Sequence, residues 1–386
     1  MGEFEAIRPY ADAEVRPVIE RLLADDAFLS TLTRYRFPRL AGPLGWLLKP
    51  VIGRYLRRQV AGVDSVAKLQ DKVESYVDRS IEQASDGITY SGLERLQKGR
   101  AYLFLSNHRD IVMDPALVNY ALYHAGLPTP RLAIGDNLLQ KPFVSDLMRL
   151  NKSFIVHRSL TGRREKLAAF QTLSAYINHS IRNEAASIWI AQAEGRAKDG
   201  DDRTDSAILK MFHMSRKDEE FAAVMGELHL VPISISYEYD PCDQAKAREL
   251  YIRATTGSYS KAPGEDDASI AQGITGYKGR IHIDFNAEVD TPDSDAKLLA
   301  QRIDRSILGN YRLFPVNYLA YAMWEERDAQ LQVPAAAELF EAAELTRAQA
   351  EWQRRLDACP EEQRPYLVMQ YANPVRNQYR CRAGQL

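Results

Sequence analysis

The segment Ala101 to Leu122, AYLFLSNHRDIVMDPALVNYAL, decides the reading of this chain. An apolar run with β character, Ala101 to Ser106, gives way to the polar Asn107, His108, Arg109 and Asp110. A helical pattern then opens at Asp114-Pro115. Proline suits the first helical position and aspartate the N-cap before it. Strand ends that face helix starts are where α/β sheets place ligands. Across so short a loop a carboxylate can orient an imidazole and stabilise its protonated form. Taken alone, the segment supports a bland alternative equally well, in which His108 is a loop histidine and Asp114 only a cap.

Downstream, the pattern repeats. Ala101–Ser106, Arg131–Gly135, Ser153–Arg158, Ser187–Gln192, Leu230–Glu238 and Arg280–Phe285 read as strands. Helical stretches are expected at Pro115–His124, Gly162–Arg182, Thr204–Ser215 and Ala296–Leu308. This alternation predicts an α/β sheet flanked by helices over residues 101–310. The Gly-, Ser-, Ala- and Asp-rich stretch Thr255–Gly279 reads as a long loop. Residues 1–100 and 311–386 read as helical additions.

Two further strand exits carry chemistry. In SIWIAQAEGRAKDGDDRTDSAILKM the strand delivers Glu194, Gly195 and Arg196. Glycine lets a backbone come close to a ligand, and a guanidinium matches a phosphate with two hydrogen bonds. In NKSFIVHRSLTGRREKL the strand ends on His157 and Arg158, before a basic helix start that an anion would neutralise. HLVPISISYEYD places Pro232 near the start of a strand, which fits an edge or first position.

The whole-chain numbers exclude other classes. With 50 Lys+Arg against 52 Asp+Glu among 386 residues, no global field attracts nucleic acid. Three scattered cysteines predict neither a disulfide framework nor a zinc site, and a reducing, cytoplasmic setting fits them. The first residues interleave acids and arginines without an apolar core, which argues against a secretory signal. HRD at His108–Asp110 and HIDFN at His282–Asn286 imitate kinase motifs. However, Pro115 stands where a catalytic-loop Asn is needed, and no glycine-rich loop precedes. No GxSxG or HExxH occurs, so no serine nucleophile and no metal site is expected.

One N-terminal segment differs from its surroundings. RYRFPRLAGPLGWLLKPVIGRYLRR, residues 34–58, holds seven Lys/Arg and no acid among many apolar residues. Its prolines and cations rule out a spanning helix, while the mixture suits a lipid interface. A helical hairpin packed on the domain is the alternative.

Together the blocks resemble the glycerolipid acyltransferases, which include lysophosphatidate and glycerol-3-phosphate acyltransferases. Asn107-His108 with Asp114 is similar to the family's first block, and FIVHR ending in Arg158 to its second. Glu194-Gly195-Arg196 looks like the third, and Val231-Pro232 like the fourth. The resemblance departs from the family at one point. Five residues separate His108 from Asp114 where the family has four, so Asp110 is an alternative orienting carboxylate.

The resemblance implies transfer of a fatty acyl group from an acyl-CoA or acyl-carrier-protein thioester to a glycerophosphate-type hydroxyl. Neither cofactor nor metal takes part. His108 would be the base and Asp114 its orienting partner. Arg158, Glu194, Gly195 and Arg196 would hold the acceptor, with Asn107, Asp110 and Pro232 lining or supporting the site. The basic, apolar segment at residues 34–58 adds an expectation of peripheral attachment to the cytoplasmic face of a membrane, and the balanced charge one of no nucleic-acid partner. The rival readings are a non-catalytic lipid-binding protein of the same fold, and a lipid or thioester hydrolase.

Overall fold

The computed structural model describes residues 2–292 and 295–385. Seven strands are formed: β1 (Ile88–Ser91), β2 (Leu103–Ser106), β3 (Arg131–Gly135), β4 (Ser153–Val156), β5 (Ile188–Ala191), β6 (Leu230–Tyr237) and β7 (Ile281–Phe285). The chain compacts as two units interleaved in sequence. One comprises Met1–Tyr76 with Pro130–Tyr176, the other Val77–Thr129 with Ile177–Leu386.

In the larger unit the strands lie in the order β1-β7-β6-β2-β5. All neighbours are parallel except β6 and β7, so this is a mixed sheet. The β6 sequence alternates, with Ile233, Ile235 and Tyr237 on one face and Ser234 and Ser236 on the other. Such a pattern would ordinarily leave the serines wet. Here every β6 residue is buried, because the helix Ala296–Gly309 covers the serine face. Buried hydroxyls need partners. Ser234 donates to the Ile307 carbonyl at 2.7 Å, and Ser236 Oγ accepts from the Arg312 N–H at 2.9 Å.

Pro232 is not at an edge, contrary to expectation, since β6 runs between β7 and β2. Strand backbone groups of one residue face the same neighbour. Pro232 accepts from the Asn286 N–H at 3.0 Å, just beyond the end of β7. Its missing N–H therefore removes one bond at the end of a ladder, where the loss is small.

The expected loop at Thr255–Gly279 is also corrected. The helix Asp243–Thr256 runs into it, and a second helix, Glu265–Thr275, fills it. Glu265, Asp266 and Asp267 stand in that helix's first turn, where negative charge complements the dipole. Gly273 within it lies against the Asp110 carboxylate, so closely that a β-carbon would overlap it. What composition marked as an excursion is thus packed onto the loop of His108.

The C-terminal helices Pro315–Met323, Ala342–Ala358 and Arg364–Arg382 share a core with the helix Asp243–Thr256. Phe314, Tyr321, Trp352, Leu367 and Tyr371 contribute to it together with Ala247. The smaller unit has its own core, built from Val15, Ile19, Leu22, Val63, Phe143 and Leu150. Within it β3 and β4 pair in parallel, and the Ile155 N–H donates to the Ile7 carbonyl at 2.9 Å.

Two left-handed glycines separate backbone strain from crowding. Gly200 (φ 79°) faces the Gln370 carbonyl with no room for a β-carbon, whereas Gly257 (φ 80°) has nothing within 4 Å. Gly257→Ala is expected to lose about 1–2 kcal/mol, the cost of the left-handed conformation alone. Gly200→Ala should lose roughly 1–3 kcal/mol beyond that from overpacking. Denaturant midpoints of the two variants check this difference.

Candidate functional site

The centre of the site is a carboxylate with no access to solvent. Asp114 Oδ2 accepts from His108 Nδ1 at 2.8 Å, from the Arg109 N–H at 2.6 Å and from the Asp110 N–H at 2.9 Å. The Tyr237 hydroxyl donates to its other oxygen at 2.8 Å. A carboxylate only accepts, so this contact places the proton of a neutral His108 on Nδ1 and leaves Nε2 bare. The His108 ring meets Trp189 edge-on, with centroids 6.0 Å apart, and its side chain is 16% exposed. It is held but reachable.

The helix begins two residues earlier than expected, at Met113, and Asp114 is not its cap. Capping falls to Asp110, whose Oδ1 accepts from the Val112 and Met113 N–H groups at 2.9 and 2.8 Å. Pro115 then stands in the first turn, where its missing N–H would have had no intrahelical partner. Asp110 thus faces the helix start, and Asp114 is the carboxylate that meets the imidazole. Burial, followed by the charge of Asp114, pushes the Asp110 carboxyl above its ordinary range.

Asn107 secures the strand from which this loop departs. Its side-chain oxygen accepts from the Ile235 N–H at 2.8 Å and its amide donates to the Ile235 carbonyl at 3.0 Å. The side chain thereby extends the β2–β6 pairing by one step past Ser106. Neither Asn107 nor Pro232 has exposure to offer a ligand.

The third block comes to the same place. His108 lines a polar cleft of about 370 Å³ together with Glu194, Gly195, Arg196, Lys198, Leu250 and Arg253. Gly195 adopts φ 80°, a conformation for which glycine is the natural residue, and no side chain crowds it. Arg196 Nη1 is buried and has no hydrogen-bond partner. A buried guanidinium nitrogen without an acceptor is a rare and costly state in a folded protein. Lys198 and Arg253 both turn toward the buried Glu249, at 3.4 and 2.7 Å.

Arg158 belongs to the smaller unit, just beyond the end of β4. There its N–H donates to Asp136 Oδ1 at 3.0 Å, and Asp136 also accepts from the Ser159 hydroxyl at 2.6 Å. These contacts, with burial opposing them, leave the Asp136 carboxyl below its ordinary range. Among the described residues no group of three or more His, Cys, Asp and Glu is arranged to hold a metal ion.

Tyr237 and Asp202 were given no site role from the sequence, yet Tyr237 meets Asp114 and Asp202 meets Arg109 of the His108 loop. Tyr237 had a legible signal, since it continues the inward period-two face of β6 toward the sheet end that carries His108. Burial first, and Asp114 and Asp110 second, push its phenol well above its ordinary value, so it stays a donor.

Residues 87–236 match the family model described as Acyltransferase. Human dihydroxyacetone phosphate acyltransferase is 26% identical over 234 residues, covering 59% of this chain and 31% of that protein. Glycerol-3-phosphate acyltransferase of Baumannia cicadellinicola subsp. Homalodisca coagulata is 27% identical over 191 residues, covering 48% and 22% respectively. The match thus spans a third or less of these curated relatives. Among solved structures, the 1-acyl-sn-glycerophosphate (LPA) acyltransferase PlsC of Thermotoga maritima aligns over 76% of this chain and 94% of its own, with TM-score 0.39 and 12% identity.

Tyr237→Phe would strand a buried Asp114 oxygen without its donor. Loss of about 1–3 kcal/mol of stability is expected, and chemical denaturation of the variant measures it.

Proposed function

Starting from an Acyltransferase-family domain at residues 87–236, we propose that this protein transfers a fatty acyl group from a thioester, acyl-CoA or acyl carrier protein, to the hydroxyl of a glycerophosphate-type acceptor. What supports the reading most is one juxtaposition. His108, whose Nδ1 is held by Asp114, and Arg196, whose buried Nη1 has no hydrogen-bond partner, line the same cleft.

The chemistry follows from those positions. His108 Nε2 takes the proton of the acceptor hydroxyl as its oxygen attacks the thioester carbonyl. The tetrahedral adduct expels the thiolate, which receives the proton from the imidazolium, and an oxygen ester remains. Asp114 accepts the hydrogen bond from Nδ1–H throughout and stabilises the transient imidazolium. Arg196 holds the acceptor phosphate, while Glu194 and Gly195 shape the cleft beside it. Holding both reactants supplies much of the remaining acceleration. No covalent enzyme intermediate enters this scheme.

A lipid product belongs to a membrane surface, and the segment at residues 34–58 supports that reading. Its helix, Ala41–Gln59, is amphipathic in the inverted sense. Leu44, Leu47, Val51 and Tyr55 recur at three and four spacing and are exposed, while Trp46, 73% exposed, lies outside that stripe. The opposite side, at Gly53, packs on Leu29. An apolar stripe among cations is what a peripheral lipid interface requires, and each Lys or Arg near an anionic surface contributes about 1 kcal/mol. No helix among the described residues is long and apolar enough to cross a membrane. We assign this face to the cytoplasmic leaflet.

Release of free thiol from a long-chain acyl-CoA or acyl carrier protein, with glycerol 3-phosphate, dihydroxyacetone phosphate, lysophosphatidate or no acceptor, tests the reaction. Acceptor-dependent release is expected, falling about 10²- to 10⁴-fold in His108→Ala. Acceptor-independent release would make the protein a hydrolase. Silence with every donor and acceptor would leave a non-catalytic lipid binder. In a separate sedimentation assay, Leu47→Glu with Val51→Glu is expected to weaken binding to anionic vesicles by about tenfold or more. Unchanged sedimentation would remove the membrane assignment.

A further inference from the structure

The chain between β5 and the helix Ser206–His213, which carries Arg196, forms neither helix nor strand. It is nonetheless pinned from two directions. On the side of the His108 loop, the Ala197 N–H donates to the His108 carbonyl at 3.1 Å. Asp202, 1% exposed, pairs with the 7%-exposed guanidinium of Arg109 at 2.8 Å and accepts from the Asn107 amide at 3.3 Å. The Arg109 guanidinium also lies over the Tyr311 ring, 5.4 Å from its centroid.

On the other side stands the helix Arg364–Arg382, which lies outside the family-matched residues 87–236. Asn373 donates to the Asp199 carbonyl at 2.7 Å, and Asn377 donates to Asp201 Oδ1 at 2.8 Å. Arg203 donates back to Asn377 Oδ1 at 3.3 Å. Gly200 meets the Gln370 carbonyl with no space left between them.

Stability alone does not account for the Arg109–Asp202 pair. Removing two charges from water is expensive, and an apolar pair of similar volume is commonly as stable or more so. What an ion pair adds is a defined geometry. Arg109 follows His108 directly, and Asp202 stands on the loop of Arg196, so their contact registers the imidazole against the guanidinium that faces the cleft.

We propose that Arg109 and Asp202 are positioning residues for acceptor binding, and that Asn377 braces the same loop from the C-terminal helix. This rests on the acyltransferase reading above. The base and the anion-holding arginine then form one unit whose spacing is set partly by a helix beyond the family's blocks.

The test uses the full chain and two variants. Arg109→Met with Asp202→Leu replaces the ion pair by apolar side chains without leaving a lone buried charge, and Asn377→Ala removes the brace. Thermal midpoints are measured beside kcat and KM for glycerol 3-phosphate and for acyl-CoA. The apolar double variant is expected to melt near the wild type while its kcat/KM for the acceptor falls roughly 10- to 100-fold, as for a small misplacement of bound groups, with the donor KM unchanged. Asn377→Ala should show a smaller loss of the same kind. Wild-type acceptor kinetics in either folded variant would overturn the proposal, as would a loss shared equally by donor and acceptor. If the double variant does not fold, Asn377→Ala decides by the same criteria. If the wild type itself shows no turnover, the acyltransferase reading fails instead, and amide exchange at residues 196–203 becomes the readout. Faster exchange in Asn377→Ala would then support the brace, and unchanged exchange would refute it.

Discussion

A single buried carboxylate organises this site. Asp114 has no exposure, and an isolated charge in that position would be prohibitive. It is tolerated because four donors converge on it: His108 Nδ1, the Arg109 and Asp110 N–H groups, and the Tyr237 hydroxyl. Each donor comes from an element that must be correctly placed for the bond to form. The backbone donors require the loop after β2 to fold over the helix start, and Tyr237 requires β6 to lie beside β2. Satisfying the carboxylate and orienting the imidazole are therefore one structural requirement.

The same logic explains how the chain between His108 and Asp114 is folded. Five positions separate His108 from Asp114. Asp110 caps the helix, Asp114 sits in the helix's first turn, and the Arg109 and Asp110 N–H groups close over its carboxylate. Residues 109–112 form a loop that wraps the carboxylate, and contact with the ring is kept at 2.8 Å.

Much of this was legible in the sequence, for identifiable reasons. Strands β2 to β7 were found because their apolar runs end in polar or glycine-containing turns. The first strand, Ile88–Ser91, was missed inside a stretch read as helical, since its four residues are too few to show a period. The helix Glu265–Thr275 was read as loop because its Gly, Ser and Asp content outweighed its acidic first turn, and packing against Asp110 decided otherwise. Glu194, Gly195 and Arg196 reached the cleft of His108 as read. The Arg109–Asp202 contact joins residues 93 positions apart, counting from 109 to 202, and no local pattern announces such a pair.

The central claim is that Asp114 holds His108 with its proton on Nδ1 and its Nε2 free to act as a base. Long-range ¹H–¹⁵N correlation spectra of histidine-labelled protein, with the His108 signals identified by their loss in His108→Gln, observe this directly. In the pH range where the ring is neutral, the account expects the shift pattern of an Nδ1-protonated tautomer, collapsing toward a tautomeric mixture in Asp114→Asn. A neutral His108 carrying its proton on Nε2, or a pattern indifferent to Asp114→Asn, would contradict it.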